Sequence, residues 1–119
     1  MRLLTNEDET LDKLDKIFQL QKDLASVISS DRYPRTKEDR VSALCTAITH
    51  EAIELQRLTN WKWWKNKVDF DEDQAREELI DIWHFVVQTA IELDISPKSI
   101  LDEYLKKNRI NRQRHQDGY

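Results

Sequence analysis

Residues that break helices are nearly missing from this chain: one glycine, Gly118, and two prolines, Pro34 and Pro97, punctuate 119 residues. The apolar/polar alternation of half-buried strands is missing as well, so the expected class is all-α. Breakers and capping residues divide the chain into four predicted helices. The first runs from about Asp8 to Ser29, with Leu11, Leu14, Ile17, Phe18, Leu24 and Ile28 at helical spacing. "SSDRYPR" ends it, and Thr36 with Asp39 forms a capping pair for a second helix that reaches about Leu58. Asp71 caps a third, to about Leu93, and Ser96 followed by Pro97 starts the fourth. The one sizeable loop is Thr59 to Phe70. A chain of this length suits a single domain, residues 1–119, with one core and few spare walls for a site.

Acidic side chains stand where apolar ones are expected. At ~100° per residue, Val41, Leu44, Cys45, Ile48, Ala52 and Leu55 form the inward stripe of the second helix. Glu51 falls inside that stripe and Glu54 on its edge. In the third helix Ala75, Ile82, Val86, Thr89 and Leu93 define a stripe that contains Glu78, with Asp81 flanking it, whereas Glu77 points away. Neighbouring helices would then present Glu51-x-x-Glu54 and Glu78-x-x-Asp81 to a shared interior. Four carboxylates in a partly dry site cannot all stay ionised without a counter-charge. A divalent cation answers that need, and ligation by oxygen alone favours Mg²⁺ or Mn²⁺ over Zn²⁺. Acid pairs at i,i+3 are also common on solvated surfaces; two pairs, each with its first acid in an apolar stripe, favour a site.

The third helix is apolar on its other sides too, through Ile80, Trp83, Val87 and Ile91. A helix apolar nearly all round is buried nearly all round, which in so short a chain predicts at least a dimer. The formal charge of −4 argues against nonspecific nucleic-acid binding. Yet Lys106 to Arg114, "KKNRINRQR", carries five cations and no acid, so a local anion site remains open. The N-terminal "MRLLTNEDETLDKL" turns acidic before a signal-peptide core can form, and no apolar run approaches the roughly 20 residues of a membrane span. Cys45, the single cysteine, excludes an internal disulfide and is expected as a small buried hydrophobe. The expected setting is cytoplasmic, with no membrane or nucleic-acid partner.

Two further segments bear on ligand binding. "NWKWWKN" reads as a membrane-surface or nucleic-acid loop, as core anchors, or as a lid. Anchoring is expected for at least one of its tryptophans. As a lid it would offer Trp64 as a stacking face for a base and Lys65 as charge for phosphate. The fourth helix begins its inward stripe with Leu101, Tyr104 and Leu105 and continues it as Asn108, Asn111 and His115. Lys107, Asn111 and Arg114, at i, i+4 and i+7, can converge on one polyanion. The plainer alternative is a solvated C-terminal helix.

In order, "EAIE", "KWWK", "EELIDIWHF" and "YLKKNRINRQRHQDGY" resemble the signature segments of the dimeric all-α dUTPases, within the all-α NTP pyrophosphatase superfamily that includes MazG-type enzymes. The resemblance covers most of Glu51 to Tyr119. It implies a four-helix bundle-like protomer in an obligate homo-oligomer, a homodimer or a dimer of dimers. It also implies that Glu51, Glu54, Glu78 and Asp81 hold Mg²⁺, with Glu51 orienting or deprotonating the water that attacks the triphosphate to give dUMP and pyrophosphate. Lys107, Asn111 and Arg114 match positions that grip phosphates. Phe85 would stack on uracil with His84 nearby, and Gln21 in "LQKDL" resembles a glutamine that reads the base. Helical geometry places Phe85 on the side of Glu78 and Asp81 but points His84 elsewhere. The chain departs from the family at Ala25, where an asparagine often stands, which removes one uracil contact.

Three rivals remain: a MazG-like or dCTP-preferring pyrophosphohydrolase, a di-iron carboxylate bundle, and a non-catalytic helical dimerisation module. For the di-iron bundle only Asp81-x-x-His84 approaches the required Glu-x-x-His.

Overall fold

A computed structural model describes residues 11–28 and 30–118. Among them are four helices and no strand: α1 (Lys13–Ile28), α2 (Lys37–Arg57), α3 (Glu72–Glu92) and α4 (Pro97–Gln116). The expected all-α class is what the structure shows. Three of the four starts use the caps read from the sequence. The Thr36, Asp71 and Ser96 side chains accept from the backbone N–H of Asp39, Gln74 and Ser99, and Pro97 occupies the first turn of α4. The start of α1 differs. Asp12 Oδ1 accepts from Asp15 N–H at 3.0 Å, so the helix begins at Lys13 and leaves Leu11 before it, exposed. The expected residues Asp8 to Thr10, and Ser29, lie outside the described residues.

α2 and α3 form the principal helix pair, while α1 packs on α3 and touches α4. The core joins Phe18 of α1 to Val87 and Ala90 of α3, with Leu14, Ile91, Ile95 and Ile100 packed around them. The turn into α4 locks this end. Ile95 N–H bonds Ala90 C=O at 2.9 Å and Asp94 N–H bonds Ile91 C=O at 3.0 Å, the double bond of a Schellman stop. Asp94 takes the left-handed position that usually falls to glycine, at φ 56°, and its carboxylate pairs with Lys37. Ile95 thereby drops onto the core while the chain reverses.

Burial corrects the expected stripes. In α3 the buried side chains are Ala75, Val87, Gln88 and Ala90, whereas Val86 and Leu93 are exposed. The reason is that α3 packs on two neighbours: α2 covers one flank, and α1 with the start of α4 turns the buried face toward Val87 and Ala90. Ile80 and Trp83 stand about half exposed, at 53% and 49%, so the all-round burial expected of this helix is absent within the protomer. Leu44 is the buried residue of α2, while Cys45, expected inside, is exposed.

Beyond Ile100 every described residue of α4 is exposed, including Leu101, Tyr104 and Leu105 of its expected inward stripe. The Cα radius of gyration, 17.9 Å, exceeds the roughly 13–14 Å of a compact domain of this length. In the loop between α2 and α3, Asn60 clasps Val68 through two hydrogen bonds of 2.7 and 2.8 Å. Trp64 meets Trp61 and Trp63 edge-on, at centroid separations of 6.0 and 5.4 Å. All three tryptophans are exposed, so they anchor one another and not the core.

With so small a core, Phe18 matters most. Phe18→Ala is expected to cost about 3 kcal/mol or more, read as a fall in the urea midpoint. A shift no larger than that of an exposed Val27→Ala control would contradict this packing.

Candidate active site

The α2–α3 pairing sets the acidic residues against each other. Ligand oxygens of Glu51, Glu78 and Asp81 all lie within 4.8 Å of one another. Glu51 and Glu78 are half-buried and Asp81 is exposed. Glu54 stands apart from this group: its exposed carboxylate lies 3.6 Å from Arg57. Glu78 accepts from Gln74 Nε2 at 3.2 Å, which fixes one of its oxygens. The proton affinity of Glu51 is raised above the ordinary glutamate value of 4.5, first by desolvation, then by a hydrogen bond with Glu78 and by the charges of Asp81, Glu78 and Glu54. A cation between α2 and α3 would relieve both the desolvation and the repulsion. The donor set is all carboxylate oxygen, and it leaves room for water or phosphate oxygens, which fits Mg²⁺ or Mn²⁺.

Glu51 and Asp81 of this cluster line a cleft of about 1180 Å³, with Glu78 beside them. Along α3 the residues Glu78, Asp81, Phe85, Gln88 and Glu92 follow one another at steps of three and four, a single ridge. Asp81, Phe85 and Gln88 line the cleft with Glu51 of α2, and Gln21, Leu24 and Ala25 of α1 form the facing wall. The cleft therefore runs from carboxylates, past an aromatic ring, to amides. His84 also lines it, with Nδ1 2.9 Å from the carbonyl of Ile80. Simple helical geometry pointed His84 away; the cleft is wide enough to reach both adjacent positions.

A polar network at the far end went unread in the sequence. Gln21 Nε2 donates to Gln88 Oε1 at 3.0 Å, and Gln88 Nε2 donates to Glu92 Oε1 at 3.2 Å. The Tyr33 hydroxyl donates to the same oxygen at 2.8 Å, and Arg40 Nη1 lies 3.5 Å from Glu92 Oε2. Arg40 is itself held by the carbonyl of Pro34 and lies over the Tyr33 ring. Burial first, and then the bond to Glu92, raises the Tyr33 hydroxyl above the usual phenol range. Its signal in the sequence is the period of α3: Gln88 and Glu92 continue the ridge that begins at Glu78.

Other expected site residues do not meet the cleft within one protomer. Trp64 and Lys65 stay on the exposed loop, and Lys107, Asn111 and Arg114 lie on the uncovered part of α4. Asn111 instead joins Asn108 and His115 around a separate shallow groove of about 440 Å³.

An all-α chain that brings acids from two helices together beside a nucleotide-sized cleft has the architecture of the all-α nucleotide pyrophosphatases. A family model described as dUTPase matches residues 13–100, and the chain belongs to that dUTPase family. It is accordingly an enzyme of the dUTP diphosphatase type, with a nucleotide substrate. Comparison with curated proteins and with solved structures gave no match. The matched stretch holds the acids and both cleft walls and ends before the basic segment that starts at Lys106.

The raised proton affinity of Glu51 has a signed consequence. Folded protein binds a proton there more tightly than unfolded protein, so this contribution to stability is present below pH 4.5 and is lost as pH rises through the raised value. In metal-free protein the Tm advantage of Glu51→Gln over wild type is therefore expected to grow as pH rises from the carboxylate range toward neutral. A difference constant with pH would contradict the crowding of these acids.

Proposed function

We propose that this protein hydrolyses dUTP to dUMP and pyrophosphate with the help of Mg²⁺, which Mn²⁺ can replace. The observation that carries the reading is the meeting of Glu51, Glu78 and Asp81, two of which, Glu51 and Asp81, line the same cleft as Phe85 and Gln21. Glu51, Glu78 and Asp81 would hold the ion, with Glu54 reaching it after leaving Arg57. When bound, such an ion neutralises phosphate charge and acidifies coordinated water. Glu51 orients the attacking water, since desolvation and its hydrogen bond with Glu78 raise its hold on a proton above that of an ordinary glutamate. Phe85 offers a face to the base, with His84 beside it and the Gln21 amide as its reader.

Lys65, Lys107, Asn111 and Arg114 do not reach the cleft within one chain. The exposed Ile80, Trp83 and Leu101 and the uncovered α4 support a homodimer or a dimer of dimers. In that assembly Lys107, Asn111 and Arg114 would be brought to the triphosphate, and Lys65 and Trp64 would close over it. No helix among the described residues is long and apolar enough to cross a membrane.

The deciding assay follows release of nucleoside monophosphate and pyrophosphate from dUTP, dTTP, dCTP, dATP and dGTP, with Mg²⁺ and then with EDTA. Turnover directed to dUTP and abolished by EDTA is expected; dCTP-directed or broad turnover would replace the base assignment, and none at all would leave a helical binding module. Glu78→Gln is expected to lower turnover by at least about 10- to 100-fold, the cost of disturbing even the outer partners of a metal site. Arg114→Ala is expected mainly to raise KM, and unchanged kinetics would remove that residue from the site. Co-expression of these two variants should restore part of the activity through mixed dimers. Failure to restore any would argue against a site shared between subunits.

A further inference from the structure

The amide chain behind the cleft has a direction set by its ends. Arg40 can only donate and the Glu92 carboxylate can only accept, so the Gln88 amide must turn its NH₂ toward Glu92. The Tyr33 hydroxyl, donating to the same oxygen, strengthens that end. Gln88 Oε1 then faces α1, where it accepts from Gln21 Nε2 at 3.0 Å. Gln88 is buried, 9% exposed, and cannot trade this arrangement for water without cost. One N–H of the Gln21 amide is thereby committed to Gln88, which fixes the way the amide faces and directs its Oε1 away from Gln88 on a residue that lines the cleft.

Direction matters because an amide free to turn over reads both pyrimidines. Uracil presents a donor, N3–H, between two carbonyls, whereas cytosine presents an acceptor at N3 beside an amino donor. A glutamine that flips can serve either pattern. One held with its carbonyl forward accepts from uracil N3–H and opposes the cytosine N3 lone pair, leaving an unpaired acceptor in a partly dry site. Ala25, on the same wall, offers no polar atom that could take over the reading.

We infer that Glu92, acting through Gln88, is a positioning residue that holds the Gln21 carbonyl toward the base and so sets the preference for uracil over cytosine. The inference rests on the dUTPase reading above, with Gln21 as base reader. Its test compares kcat/KM for dUTP and dCTP in wild type, Glu92→Gln and Gln88→Met. Glu92→Gln keeps size but lets the chain run in either direction; Gln88→Met keeps packing, breaks the chain and spares the Glu92–Arg40 pair should the first variant fold poorly. In both, the dUTP:dCTP ratio is expected to fall by about tenfold or more, chiefly through KM, with restoration by Glu92→Asp in place of Glu92→Gln. A purely structural role would depress both substrates alike and leave the ratio unchanged. Wild type that prefers dUTP while both variants keep that preference overturns the relay alone. Wild type with no preference for dUTP overturns the relay and the dUTPase reading together.

Discussion

The α2–α3 contact places like charges where a helical protein ordinarily places leucine. Glu51 and Glu78 are half-buried and, with Asp81, crowd their oxygens within 4.8 Å of each other. Desolvation and mutual repulsion both work against this arrangement. Raising the proton affinity of Glu51 relieves part of it, and a divalent ion would relieve more. The rest of the architecture is consistent with keeping the cluster in place. α3 is pinned at its far end by the Phe18, Val87 and Ala90 core and by the Asp94 turn, so its acidic end has little freedom to retreat from α2.

The ridge that starts with these acids also organises the ligand space. One face of α3 carries carboxylate, aromatic ring and amide in succession, at roughly 5 Å per helical turn. A nucleotide has the same succession of chemistry, with phosphate at one end and a hydrogen-bonding base at the other. α1 supplies the second wall because Phe18, on its buried side, seats it against α3. The cations that line the cleft, Arg32, Arg35 and Arg40, belong to the α1–α2 connection and the start of α2; those of α4 lie away from the cleft, on a helix whose apolar side is bare. The proposed assembly would cover that apolar side and bring the α4 cations to the cleft with one contact.

Much of this was legible in the sequence, and particular residues explain where legibility ended. The scarcity of breakers gave the helices, and Thr36, Asp71 and Ser96 gave three starts within a residue, because a short polar side chain that caps N–H groups acts locally. The paired acids could be seen because they interrupt an apolar period. The inward faces of α3 and α4 could not be read correctly, since period reveals an apolar side but not which neighbour covers it. Val86 and Leu93 look like core and are exposed; Val87 and Ala90 are core because α1 lies against them. Cys45 failed for the same reason. The network from Gln21 to Arg40 joins residues far apart in the chain, with Gln21 and Gln88 67 positions apart, so its members look like ordinary polar residues until the helices pack.

Whether the acidic cluster binds a divalent metal is read by a Mn²⁺ titration followed by electron paramagnetic resonance at neutral pH, without nucleotide. Wild type is expected to deplete the free Mn²⁺ signal saturably, and Glu78→Gln, although folded, largely to fail to do so. A free-ion signal undiminished by wild type, or depleted equally by Glu78→Gln, would contradict a metal site at Glu51, Glu78 and Asp81.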